Sequence, residues 1–167
     1  AKQRETLKFV PFVLLLLLLL PLHNEAMFCS TIIPTVNRPE LSRAVESVLN
    51  QPFYEDDFEI IVVNDSGQPL PNATWQQSPK VTVLNTQRRE RCFARNSGAA
   101  IAKGRFFHFL DDDDWMAPDF FAHFYELAAV DEETAVFYGA SQLWDRNNTP
   151  LLQLHHGLNG NCFVQMM

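Results

Sequence analysis

With 167 residues, 47% of them hydrophobic and 20% charged, the chain is long and apolar enough for one packed domain, which excludes a disordered segment. A formal net charge of −7 excludes the broad basic face that nucleic-acid binding requires. The clustered Arg88, Arg89, Arg91 and Arg95 suit a small anionic ligand instead.

The chain opens with Lys2, Arg4 and Lys8 and then an apolar run over residues 9–22. That run is shorter than the ~20 apolar residues a membrane-spanning helix needs. It is laid out like the apolar part of a secretory leader, but no convincing small-x-small cleavage site follows. A leader, a short membrane anchor and a non-native extension all fit residues 1–26. The folded pattern starts directly after Met27, which favours the extension and a domain over 27–167.

From there "FCSTIIP", 28–34, is expected to be a buried strand. "PELSRAVESVLN", 39–50, is expected to be a helix, with Leu41, Ala44, Val45, Val48 and Leu49 at helical spacing behind Pro39. "FEIIVVND", 58–65, is a β-branched strand, 67–79 is turn-rich loop, and 80–85 is a shorter strand. "RCFARNSGAAIAKG", 91–104, is expected to be a helix stopped by Gly104. A strand over 105–111 and a helix over 117–129 follow, the latter with Phe120, Phe121, Phe124 and Leu127 on one side. The last two strands flank the turn "DRNNTP" and form a hairpin or mixed edge. Strand alternating with helix implies right-handed βαβ units, so the predicted class is α/β with a mostly parallel sheet.

Ligands of such sheets bind beyond the carboxyl ends of the strands, where this chain carries "PTVNR", "NDSG" and "DDDDW". Four adjacent carboxylates repel one another, and an oxygen-rich set of this kind suits Mg²⁺ or Mn²⁺. A solvated acidic loop ahead of a helix is the simpler reading of the same run. Asp65 could accept from a base or ribose, or serve only the turn chemistry of "NDSG". Asn37 and Arg38 could merely start a helix, and Trp115 suits packing better than sugar stacking. The arginines at 88–95 could clamp a diphosphate or form a solvated face. The three cysteines, Cys29, Cys92 and Cys162, lack C-x-x-C spacing and fit a reducing compartment. No H-E-x-x-H arrangement occurs, and the adjacent His155 and His156 suit a structural or surface role.

Taken together, "STIIPTVNRPELSRAVESVLNQ", "FEIIVVNDSG", "ARNSGAAIAKGRFFHFLDDDDWMAPD" and "VFYGASQLWD" resemble the family 2 glycosyltransferases of GT-A fold, over roughly residues 28–145. The resemblance implies an inverting, metal-dependent transfer of sugar from a nucleoside diphosphate, most simply UDP, to a glycan, lipid or protein hydroxyl. It implies that Pro34, Thr35, Asn37 and Arg38 line the nucleotide pocket and that Asp65 contacts uracil or ribose. Arg91, Arg95 and Asn96 would approach the nucleotide from the following helix. Asp111 and Asp113 would form a D-x-D motif holding Mn²⁺ or Mg²⁺, with Asp112 and Asp114 beside the donor sugar. A cytoplasmic site is implied, with residues 9–22 able to hold it at a membrane surface.

Two departures stand out. Asn64 occupies the place of a first acid in the family's paired acids, and Asp65 keeps the second. The family's general base belongs to an acceptor-binding half expected beyond residue 167, so the sequence reads as a fragment. Asp131, Glu132, Glu133 and Asp145 do not match the position of that base, and none is assigned the role. A nucleotidyltransferase would want a glycine-rich loop after the first strand, which "PTVNRPE" lacks. A non-catalytic cation-binding or donor-binding module is the other alternative, encouraged by the leucine run and the "NAT" sequon at Asn72.

Overall fold

Two seven-residue strands, buried along their whole length, lie side by side in the middle of a four-stranded sheet. The computed structural model describes residues 27–53, 58–87, 90–130, 136, 141–145, 147 and 149–154. The readings made for residues 1–26, Arg88, Arg89, Asp131, Glu132, Glu133, His155, His156 and Cys162 lie outside the described residues. The chain divides into two compact units, Ala1–Asp119 and Phe120–Met167.

In the first unit, β1 (Cys29–Thr35), β2 (Phe58–Asn64), β3 (Val81–Asn85) and β4 (Phe106–Phe109) make one sheet in the order β3-β2-β1-β4. All three pairings are parallel, with Thr35 opposite Asn64 and Ile32 opposite Phe109. Near-continuous apolar strands are what a parallel sheet covered on both faces demands. Ile32, Ile33, Ile60, Ile61, Val62 and Val63 are at most 1% exposed, and each such side chain contributes roughly 1.5–3 kcal/mol by leaving water.

Helix α1 (Leu41–Leu49) begins two residues after Pro39 and buries Leu41, Ala44, Val45 and Val48, the face its spacing predicts. The loop over 67–79 contains one 3₁₀ turn, Thr74–Gln77, which the turn-rich composition concealed. Within that turn Trp75 is buried, and its indole N–H donates to Ser42 Oγ on α1 at 3.1 Å.

Helix α2 (Arg91–Ala99) ends before Gly104, so Gly104 is not its stop. Gly98 explains how closely α2 lies on the sheet: a Cβ there would stand 2.5 Å from Ile32 Cγ2. Gly104 meets a different constraint, because its Cβ would stand 2.4 Å from the Ser30 backbone nitrogen. Its own N–H donates to Ser30 Oγ at 2.8 Å, and the Lys103 N–H donates to the buried Glu59 at 2.7 Å. These bonds capture the chain on its way into β4.

In the second unit, α3 (Phe120–Val130) starts three residues later than its sequence pattern suggested. Asp119, at φ 60°, turns the chain immediately before it. Within α3 burial falls on Phe121 and Ala128, whereas Leu127, expected on the apolar side, is 57% exposed. Strands β5 (Ser141–Trp144) and β6 (Pro150–Leu154) form the anticipated antiparallel hairpin, as a separate two-stranded sheet. Among the described residues, no helix is long and apolar enough to cross a membrane.

Candidate functional site

The chain runs from β1 through β2 to β3 on one side and then crosses back to place β4 on the other side of β1. Such a reversal opens a crevice beyond the carboxyl ends of the strands. A cleft of ≈ 190 Å³ lies there, lined by Pro34, Thr35, Val36 and Arg38 after β1, and by Asp65 after β2. Glu90, Arg91 and Ala94 close it from α2, and Asp111, Asp112 and Asp113 from the segment after β4.

The strand ends are tied together by their backbones. The Asp65 N–H donates to the Thr35 carbonyl at 2.8 Å, and the Leu110 N–H to that of Ile32 at 3.1 Å. After Leu110 extension stops, and the Asp114 N–H donates to the Asp111 carbonyl at 3.1 Å. This turn separates the four aspartates. Asp112 points inward, 5% exposed, and accepts the Thr35 hydroxyl at 2.6 Å. One carboxylate oxygen each from Asp111, Asp113 and Asp114 falls within 4.8 Å of the others. Persisting extension would have grouped only Asp111 with Asp113; the turn adds Asp114. Burial, then the neighbouring Asp113 and Asp111 charges, pushes the Asp114 carboxyl above its ordinary value.

Arginines meet this acidic turn from two sides. Arg38 is ion-paired with Asp113 and lies 3.7 Å from Asp112 Oδ1. From α2, Arg95 reaches Asp111 Oδ1 at 2.6 Å. Thr35 Oγ1 also accepts the Asn37 N–H at 2.9 Å, and Asn37 takes φ 70° to present it. A left-handed φ is one Asn tolerates better than most residues, and here it sets the approach of Arg38.

Asp65 is 2% exposed. It accepts the Thr86 hydroxyl at 2.6 Å and the Glu90 N–H, thereby tying the end of β2 to both of these residues. Glu90 in turn caps α2, its carboxylate accepting the N–H groups of Cys92, at 2.9 Å, and Phe93. These N–H groups, which would otherwise favour an external anion, are served internally. Trp115 stacks under the Arg43 guanidinium at 3.4 Å from the ring centroid, consistent with packing.

Of the residues singled out in the sequence, Pro34, Thr35, Arg38, Asp65, Arg91, Asp111, Asp112 and Asp113 share the cleft lining. Asn37, Arg95 and Asp114 touch that lining through the bonds and contacts just described. Asn96 is exposed on α2 and outside it. Sequence reasoning missed Glu90 and Thr86. An acid directly ahead of a helical pattern was the available signal for Glu90; Thr86, one residue past a strand, carried none.

Known proteins resemble this chain in sequence and in fold. EpsH of Bacillus subtilis (strain 168), named as a putative glycosyltransferase, is 28% identical over 109 residues, covering 63% of this chain and 31% of its own length. Staphylococcus aureus TarS 1–349 in complex with UDP-GlcNAc superposes with a TM-score of 0.55 at 18% identity, over 73% of this chain and 42% of that one. The mannosyltransferase PcManGT from Pyrobaculum calidifontis, in complex with GDP-Man and Mn²⁺, gives 0.51 at 24% identity, over 60% and 32%. At these identities the superpositions establish the fold, α/β of GT-A type. The chain spans about a third of the length of the curated relatives it matches. Residues 30–159 match the family described as Glycosyl transferase family 2, and the chain belongs to that family.

Proposed function

We propose that this chain carries the donor-binding part of an inverting glycosyltransferase that takes a sugar from a nucleoside diphosphate, UDP first among them, with Mn²⁺ or Mg²⁺. The observation that carries the reading is the cleft at the strand-order reversal, where the polar ends of β1, β2 and β4 converge with the arginines of α2. TarS and PcManGT, which share the fold, are described in complex with UDP-GlcNAc and with GDP-Man and Mn²⁺.

Charge supports the metal requirement. The cleft lining holds two arginines against five carboxylates, an environment that repels a diphosphate. The all-oxygen set of Asp111, Asp113 and Asp114 fits a hard divalent cation and suits zinc poorly. Asp113 and Asp111 would hold it, and when bound it offsets charge on the departing diphosphate. Asp112, held by Thr35, orients the turn beneath the donor.

The remaining roles fall to groups already in place. Pro34, Thr35 and Asn37 border the nucleotide. Asp65, at the end of β2 and in the cleft lining, accepts from the base or ribose. Arg38, Arg91 and Arg95 supply positive charge for the diphosphate oxygens, Asn96 approaches the nucleotide from α2, and Asp114 contacts the donor sugar. In the transfer an acceptor oxygen bonds to the anomeric carbon as the bond from that carbon to the diphosphate oxygen breaks. The electron pair leaves with the diphosphate and the hydroxyl proton passes to a base. No described residue is assigned as that base.

Titration calorimetry with UDP, and in parallel GDP, tests the reading. Affinity is expected to rise roughly tenfold or more when Mn²⁺ replaces EDTA. Folded protein that binds neither nucleotide in a metal-dependent way overturns it.

A further inference from the structure

The carboxylates offered to a cation are already paired within the protein: Asp113 with Arg38 and Asp111 with Arg95. We propose, resting on the donor-site reading above, that Arg38 and Arg95 are resident counter-ions. In this role they hold the acidic turn in its binding shape without metal, compete with a cation for its oxygens, and turn to the diphosphate when displaced.

Three observations carry this. The two arginines come from different elements, Arg38 from the segment after β1 and Arg95 from α2, and meet adjacent parts of one four-residue turn. Each guanidinium is partly solvent-exposed, 41% for the Arg38 side chain and 33% for that of Arg95, so release does not require unpacking the core. The buried Nε of Arg95 has no hydrogen-bond partner, so the present pose does not use all of its donors. A planar guanidinium is suited to exchange one oxyanion for another, because carboxylate and phosphate present similar pairs of oxygens.

The consequence is reciprocal coupling. A cation alone must displace the arginines and leave them without an anion, whereas a cation arriving with a diphosphate returns an anion to each. Metal and nucleotide therefore strengthen one another's binding beyond the direct contact between them. Arg91 lines the same cleft and has no ion-pair partner among the described residues, so it contributes charge without occupying a metal oxygen.

The test is Mn²⁺ binding to the whole chain, measured from the free-ion paramagnetic resonance signal with and without UDP. Arg38→Ala and Arg95→Gln should bind Mn²⁺ alone roughly three- to tenfold more tightly than the parent and show a smaller gain on adding UDP. Arg91→Ala, at the same net charge, should change affinity for Mn²⁺ alone by less than about twofold. If all three variants shift alike, a general charge effect accounts for the result and the counter-ion role falls. Unchanged Mn²⁺ affinity in both Arg38→Ala and Arg95→Gln also overturns it, even with parental UDP binding intact. Absence of Mn²⁺-dependent UDP binding in the parent itself overturns the donor-site reading and this role together.

Discussion

Asp112 and Asp113 are neighbours in the chain, yet one is buried against Thr35 and the other stands half-exposed beside Arg38. Asp112→Ala removes the acceptor of a buried hydroxyl and should lower stability by ~1–3 kcal/mol, read from thermal or denaturant unfolding. Asp113→Ala should leave the unfolding midpoint nearly unchanged and abolish the Mn²⁺-dependent part of UDP binding; metal dependence retained in that variant would reject its assignment. The two cysteines among the described residues offer another contrast. Burial pushes the Cys29 thiol up to about 12, while Cys92 is exposed. Because the thiolate is the reactive form, iodoacetamide at pH 8 should modify Cys92 and spare Cys29 in native protein, as mass spectrometry would report. A run of identical letters cannot reveal which aspartate turns inward. That choice depends on the Asp114-to-Asp111 backbone bond and on a threonine 77 positions away.

Helix α2 shows what an element must satisfy to carry site residues. Its N-terminus is held by Glu90, its flank approaches β1 only because residue 98 lacks a side chain, and the chain beyond it is caught by Ser30 and Glu59. Glu90→Ala should cost roughly 1 kcal/mol, the usual worth of a lost cap, and weaken UDP binding by misplacing Arg91 and Arg95. Gly98→Ala drives a methyl into the β-branched Ile32 and should cost ~1–3 kcal/mol, visible as a lower denaturant midpoint. Hydrophobic spacing made the existence and type of α1, α2 and the parallel strands legible. Boundaries were less so. Gly104 looked like a helix stop because glycine favours that position, but its lack of a side chain serves a contact with a strand distant in sequence. The 3₁₀ turn at Thr74–Gln77 was hidden for a related reason: Trp75 is held by Ser42 on another element, and no local periodicity records that.

At the scale of the whole molecule, acid stability is linked to His108 on β4. Its Nδ1 is shielded from solvent although the residue as a whole is only partly buried, and desolvation lowers the imidazole from 6.5 to about 4. A depressed value means that the unfolded chain takes up a proton before the native one does. The contribution is therefore complete above about pH 6.5 and is lost as pH falls towards 4, by at most about 3 kcal/mol. Urea midpoints across that range should decline, and His108→Phe should flatten the decline between pH 6.5 and 4. Alternation of strand and helix revealed a parallel sheet, but not that β1 would lie between β2 and β4, since order within a sheet is a long-range outcome. That order bears on how the protein is made. Of the four strands described in this sheet, the earliest in the chain is one with partners on both sides, and the later of those partners ends at Phe109. At ordinary rates of synthesis β1 waits roughly 4–15 s for its last neighbour, an interval in which a strand destined for complete burial has an open edge and a chaperone has its best opportunity to hold it.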